Sequence, residues 1–248
     1  MEEQLLKPGE RINQLFSTDI KIIQNREVFS YSVDSVLLSR FPRFPKRGLI
    51  VDFCAGNGAV GLFASSRTQA RIISVEIQER LADMAERSVQ LNGLEEQMRV
   101  ICDDLKNMPA HIQGSKVDMI LCNPPYFKVD PYSNLNESEH YLLARHEIAT
   151  NLEEICRSAQ SILKSNGRLA MVHRPDRLLD ILDMLQRHNL APKRLQFVYP
   201  KREKEANMLL IEAIKDGSTS GFKVLPPLIV HNDDGSYTPE IQEIYYGS

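Results

Sequence analysis

The chain has 248 residues, 42% hydrophobic and 25% charged, with a formal net charge of −3. That is ordinary for a soluble globular protein of one large domain with appendages, or of one domain plus a small one. A balance this close to neutral does not announce a nucleic-acid binder, so any such surface has to come from local basic patches.

Met1 to Glu10 is polar and charged, unlike a signal peptide, and no apolar run approaches ~20 residues. A cytoplasmic protein without membrane spans is therefore expected. Cys54, Cys102, Cys122 and Cys156 form no CxxC pair. They are expected as free thiols, with no disulfide and no metal.

In chain order, Asp19 to Gln24 alternates like an edge strand, with Glu27 to Ser32 as its hairpin partner. Ser32-Val33-Asp34 caps a short helix, Ser35 to Phe41. Arg40, Arg43, Lys46 and Arg47 fall in a proline-broken linker. Leu49 to Phe53 is a continuous apolar strand, followed by a Gly-containing turn and a helix from Ala59 to Ser66. Arg71 to Val75, closed by Glu76, is the second strand. Gln78 to Asn92 is an amphipathic helix, ended by Asn92-Gly93. Met98 to Cys102 is the third strand and ends at Asp103-Asp104. Val117 to Cys122 is the fourth. A helix from about Ile148 to Lys164 ends at Asn166-Gly167, and Arg168 to His173 is the fifth strand. Asp176 to His188 is a helix. Arg194 to Tyr199 and Asn207 to Ala213 form an antiparallel hairpin. Strands alternating with helices, each strand apolar without a break, predict an α/β protein whose sheet is mostly parallel and covered on both faces.

The candidate chemistry gathers at strand ends. Gly56-x-Gly58-x-x-Gly61 follows the first strand and formally fits a dinucleotide fingerprint. Asp52, just before the turn, argues against a pyrophosphate and for a ligand with an amino group. Glu76 is placed to accept hydrogen bonds from ribose hydroxyls. Asp103 or Asp104 is placed to accept one from an adenine amino group. After the fourth strand comes Asn123-Pro124-Pro125-Tyr126, followed by Phe127. Each proline fixes its own φ and pushes the residue before it toward an extended conformation. The result is a stiff corner with free carbonyls, a carboxamide and a flat ring, suited to a planar group that carries an amine.

Asp52-x-Cys54-x-Gly56-x-Gly58, Glu76, Asp103/Asp104 and Asn123-Pro124-Pro125-Tyr126, in this order and spacing, resemble a class I S-adenosylmethionine-dependent methyltransferase. With Val28 to Leu38 and Arg145-His146-Glu147 added, the chain is most similar to the bacterial tRNA1(Val) adenine-37 N6-methyltransferase family. The resemblance implies a Rossmann-like fold with a mostly parallel seven-stranded sheet, helices on both faces and an antiparallel last hairpin. It implies residues 1–47 as a strand and helix lid, 48–216 as the core and 217–248 as a tail. The cofactor would be S-adenosylmethionine, held by Tyr31, Asp52, Cys54, Gly56, Gly58, Glu76, Asp103, Asp104 and Asn123. Cys54 stands where many members have Gly or another small residue, which should narrow the turn slightly.

The Asn123 side-chain oxygen and the Pro124 carbonyl would accept both N–H bonds of the substrate amine. Tyr126 would stack on the base, and Pro125 and Phe127 would contact it. Lys201, Arg202 and Lys204, in a basic stretch with Lys193 and Arg194, would meet the phosphates of a tRNA. The same corner also serves N5-glutamine methylation of a release factor and amino-group methylation of rRNA, and those readings stay open.

Overall fold

The computed structural model of the protein describes residues 2–25, 32–112, 116–125 and 152–247. Strands β1 (Glu10–Leu15) and β2 (Ile20–Asn25) form an antiparallel pair, with Glu10 opposite Asn25 and Leu15 opposite Ile20. The segment before β2 is thus one partner of the strand. Asp19, at φ 56°, makes the left-handed step between the two strands. Glu27 to Tyr31 lie outside the described residues. Helix α1 (Val33–Leu38) follows, its first turn preceded by Ser32 in extended conformation.

The main sheet contains β3 (Leu49–Phe53), β4 (Arg71–Glu76), β5 (Met98–Cys102), β6 (Val117–Cys122), β7 (Leu163–His173), β8 (Leu190–Tyr199), β9 (Met208–Lys215), β10 (Lys223–Val224) and β11 (Leu228–Ile229). Its order is β10-β8-β9-β7-β6-β3-β4-β5, with β11 also on β8. Strands β3 to β7 are mutually parallel, and β9 runs antiparallel to both β7 and β8. The expected seven strands are present, and the two short strands from the C-terminal tail raise the number to nine.

Side-chain alternation along β3 divides the core. Ile50 faces α1 and α2 (Ala59–Ser65), in a cluster that also holds Leu62, Phe63 and Ile241. Val51 and Phe53 face the other way, toward Met108 of α4 (Met108–His111), toward Leu152, Ile155 and Ile162 of α5 (Leu152–Ile162) and toward Ile181 and Leu185 of α6 (Leu178–Arg187). Each such fully buried side chain contributes about 1.5–3 kcal/mol of transfer free energy.

Helix α3 (Glu79–Leu91) places Leu81 and Met84 against Ile23 of β2. Asn92, just past its end, accepts from the Lys21 amide at 2.8 Å and donates to the Lys21 carbonyl at 2.6 Å. The N-terminal hairpin is thereby tied to the helix that follows Glu76. Helix α5 stops at Ile162 rather than Lys164. Asn166, at φ 65°, makes a left-handed kink within β7, where a Cβ on Gly167 would lie 2.8 Å from the Lys164 carbonyl. In the tail, α7 (Pro239–Tyr246) packs on the β1–β2 turn, with the Ser17 amide donating to the Tyr245 carbonyl at 2.9 Å. Among the described residues no helix is long and apolar enough to cross a membrane.

Candidate active site

Parallel pairing of β5, β4, β3 and β6 brings four strand ends to one edge, and open α/β sheets bind their ligands at such an edge. The turn after β3 lies between the end of β4, which carries Glu76, and the end of β6, which carries Asn123. Gly56 (φ 57°) and Gly58 (φ 84°) both occupy left-handed backbone, and Gly58 is the N-cap of α2. Gly61 has a different role: a Cβ there would meet Ser74 Oγ at 2.8 Å and Met98 Cε at 3.0 Å. It lets the helix lie close on β4 and β5.

Cys54 is left-handed as well, at φ 55°. A side chain in this conformation costs roughly 1–2 kcal/mol, a cost glycine does not bear. The thiol therefore strains the turn's backbone rather than simply narrowing it. Burial pushes the Cys122 thiol well up, and its hydrogen bond with Cys54 adds to the effect.

Asp52 lies deeper than expected. It is fully buried, and its Oδ2 accepts from the Gly61 amide at 2.9 Å and from Ser74 Oγ at 3.4 Å. Its other oxygen has no hydrogen-bond partner among the described residues. Its bond to Gly61 anchors the first turn of α2. Burial pushes its carboxyl up from 3.8 to about 7, and the nearby Glu76 charge adds to this against the two hydrogen bonds. An acid with a raised folded-state value binds its proton more tightly when folded. Its stabilising contribution is complete below about pH 4 and is lost as pH rises to about 7. Asp52→Asn should therefore gain melting temperature relative to the unmodified protein between pH 4 and 7, by on the order of 5 °C, then level off. A difference that stays flat across that range in thermal melts rules this out.

Glu76 is the hinge of the edge. It is buried, with Oε2 accepting from the Gly56 amide at 2.8 Å and Oε1 from the Gln78 amide at 3.0 Å. Its carboxyl is raised by burial, against those backbone hydrogen bonds. The Ile77 amide is a third backbone donor to it, which leaves the carboxylate room for about one more.

Asp103 is engaged by His111 Nε2 at 2.7 Å, by Asn107 Nδ2 at 2.8 Å and by the Asp104 amide at 2.7 Å. These bonds, His111 first, hold its carboxyl down to about 2. Asp104 caps the next turn through the Lys106 amide at 2.9 Å and pairs with Lys106 Nζ at 2.9 Å. Both acids lie at the edge, and both already organise the segment after β5.

At the end of β6, Asn123 is half-buried, Pro124 buried and Pro125 half-buried. Asn123 Nδ2 donates to Ser35 Oγ of α1 at 3.1 Å. Tyr31, Tyr126, Phe127, Arg145 and His146 lie outside the described residues.

Two further residues join the site that the sequence reading passed over. Ser35 is one. The other is Asn57, fully buried between the two glycines, whose Nδ2 donates to the Ile23 carbonyl of β2 at 3.0 Å. Its signal was an amide flanked by glycines, but the partner strand was not legible. His173, on the strand beside β6, accepts from the Arg174 amide at 2.8 Å. Burial and the Arg177 charge push it down to about 4, so it is neutral at pH 7.

The second basic stretch divides. Lys201, Arg202 and Lys204 lie in the loop after β8 at the carboxyl edge, three strands or about 14 Å from β6 along the sheet. Lys201 Nζ donates to the Asp233 carbonyl at 3.0 Å, while Arg202 and Lys204 are exposed. Lys193 and Arg194 lie toward the opposite end of β8. Lys193 holds the Ser220 carbonyl at 2.7 Å, and Arg194 stacks 4.7 Å over Phe41. Arg40 of the first stretch is likewise committed, to Ser17 Oγ at 2.8 Å and the Ile244 carbonyl at 3.1 Å.

The family model of the methyltransferase small domain matches residues 19–189. The chain belongs to that family. A tRNA1(Val) (adenine(37)-N6)-methyltransferase of Porphyromonas gingivalis is 28% identical over 215 residues, covering 84% of this chain and 83% of the relative. Among solved structures, a predicted O-methyltransferase of Agrobacterium tumefaciens superposes with a TM-score of 0.69 at 22% identity, over 87% of this chain and 96% of that one. Geranyl diphosphate C-methyltransferase of Streptomyces coelicolor, in complex with S-adenosyl-L-homocysteine, gives 0.52 at 13% identity, over 68% and 71%. These two likenesses speak for the fold, a Rossmann-like methyltransferase sheet.

Proposed function

We propose that the protein methylates the exocyclic N6 of an adenine in tRNA, at anticodon-loop position 37, as a cytoplasmic enzyme. The observation that carries this is the placement of Asn123-Pro124 beside the Gly56–Gly58 turn and Glu76 at one sheet edge. S-adenosylmethionine, when bound, supplies a methyl group on a positively charged sulfur. The residues present fit it. The turn offers glycine backbone at two left-handed positions, Glu76 keeps acceptor capacity for a ribose hydroxyl, and Asp103 and Asp104, at the same edge, are the candidates to meet an adenine amine.

An exocyclic amine is a weak nucleophile, because its lone pair is delocalised into the ring. The Asn123 side-chain oxygen and the Pro124 carbonyl accept its two N–H bonds out of the ring plane. The nitrogen lone pair is thereby released toward the methyl. This is orientation and electrostatic preorganisation, and it needs no strong base. Pro125 contacts the base, and the roles expected of Tyr126, Phe127 and Tyr31 fall on residues outside those described. Position 37 lies in a single-stranded loop, so turning its base out breaks no pair.

Labelled cofactor incubated with total RNA from a strain lacking the gene tests the reading, with the modified nucleotide located by mass spectrometry. The expected product is N6-methyladenosine at position 37 of a tRNA. Label in rRNA, or in a release factor when protein is supplied, overturns it. Replacing Lys201, Arg202 and Lys204 by Gln should raise the RNA KM about tenfold near 0.1 M salt. It should also flatten the salt dependence, since each phosphate contact adds about 0.7–0.9 to the slope. An unchanged slope removes these three from the RNA surface.

A further inference from the structure

We infer that Ser35 is a positioning residue for methyl transfer: its hydroxyl holds the Asn123 carboxamide so that the amide oxygen faces the substrate amine. The inference rests on the role given to Asn123 above. A carboxamide can rotate by half a turn, exchanging its oxygen for its nitrogen at little intrinsic cost. With an amine bound, only the orientation that presents the oxygen is productive. The Asn123 NH2 then points back into the protein and needs an acceptor. Ser35 Oγ supplies one at 3.1 Å, from a residue only 2% exposed.

Ser35 is itself fixed from two directions. Its amide donates to Asp34 Oδ1 at 2.8 Å, and Ser32 Oγ donates to that same oxygen. Helix α1 is packed between α2 and β7, with Val36, Leu37 and Leu38 in the core. A rigid helix turn on one side of the sheet thus sets the rotation of an amide at the end of β6, across 88 residues of chain. Without the hydroxyl, the half-buried NH2 loses this acceptor and the carboxamide is freer to rotate. Binding of the cofactor is not involved, because Ser35 contributes no bond to Glu76 or to the glycine turn.

The test is a double-mutant cycle on the full chain, read by single-turnover methylation of the RNA substrate and by calorimetry of cofactor binding. Ser35→Ala should lower the methylation rate about tenfold, the worth of one hydrogen bond, with cofactor affinity within twofold. Ser35→Cys keeps the volume but offers only a weak acceptor, and should match it. It also serves as the folded comparison if the alanine variant melts below the assay temperature. In an Asn123→Ala background, Ser35→Ala should cost less than a further twofold, because its route to the amine is already gone. The same factor in both backgrounds, or rates within twofold of the unmodified protein for both Ser35 variants, overturns the inference. An Asn123→Ala protein that keeps its rate overturns the Asn123 reading instead. An unmodified protein that methylates no RNA overturns the proposed substrate.

Discussion

Asn123→Ala should lower turnover by about two to three orders of magnitude and leave cofactor affinity within about twofold. The magnitude follows from what the carboxamide does. It acts on the reacting nitrogen only as the ring-delocalised lone pair is drawn out, so its contribution is larger in the transition state than in the bound ground state. Removing one preorganised polar group from such an arrangement typically costs 10²–10³ in kcat. The half-buried Asn123 ends β6, whose strand is held on both sides by β3 and β7. Truncation should therefore leave the sheet edge in place, and the loss should appear in the chemical step. Single-turnover kinetics at saturating cofactor measure that step, and calorimetry measures the binding. Turnover within tenfold of the unmodified protein would sink the amine-activation mechanism. A comparable fall in cofactor affinity would assign Asn123 to cofactor binding instead.

Most of the parallel core was legible because its strands are buried on both faces. Leu49 to Phe53 and Val117 to Cys122 are apolar but for Asp52 and Asp118, and the turns between them carry Gly or paired acids. The burial of Asp52 was not read from the sequence, although the means were present. The strand runs to Phe53, so Asp52 alternates with Val51 and Phe53 and shares a face with Ile50, toward α2. Its carboxylate has to lie under the helix, where Gly61 and Ser74 meet it. Counting along the strand, rather than back from the turn, places it beneath the helix.

The same alternation puts Glu76 on the face of Ser74, one strand end further out, where it reaches Gly56. Strand β1 was not legible for a different reason. In Glu10–Leu15 only Ile12 and Leu15 are apolar, so the strand carries little period, and it is pairing with β2 that makes it a strand. Contacts such as Asn57 with Ile23 and Asn123 with Ser35 join residues 34 and 88 positions apart and exist only once the fold has formed.

Glu76→Ala should weaken cofactor binding by about two orders of magnitude and also lower stability. The two effects have separable origins. In the protein by itself the buried carboxylate holds the Gly56 and Gln78 amides, one on each oxygen. Removing it orphans the buried Gly56 amide, at roughly 1–3 kcal/mol, and frees the half-buried Gln78 amide at a smaller cost. The turn then loses one tie to β4 and keeps the bond from the Ala55 amide to the Val75 carbonyl. On the proposed reading the carboxylate's remaining lone pair meets a ribose hydroxyl in the complex, and a hydrogen bond to a charged group is worth about 1.5–3 kcal/mol.

Glu76→Gln separates these contributions. A glutamine can accept through only one atom, so its NH2 has to face either the Gly56 or the Gln78 amide, donor against donor. Melting temperatures should therefore fall in the order unmodified, Gln, Ala, while cofactor affinity by calorimetry falls sharply in both variants. An alanine variant with unaltered affinity would remove Glu76 from the ribose site. A glutamine variant as stable as the unmodified protein would show that the two amide bonds do not hold the turn.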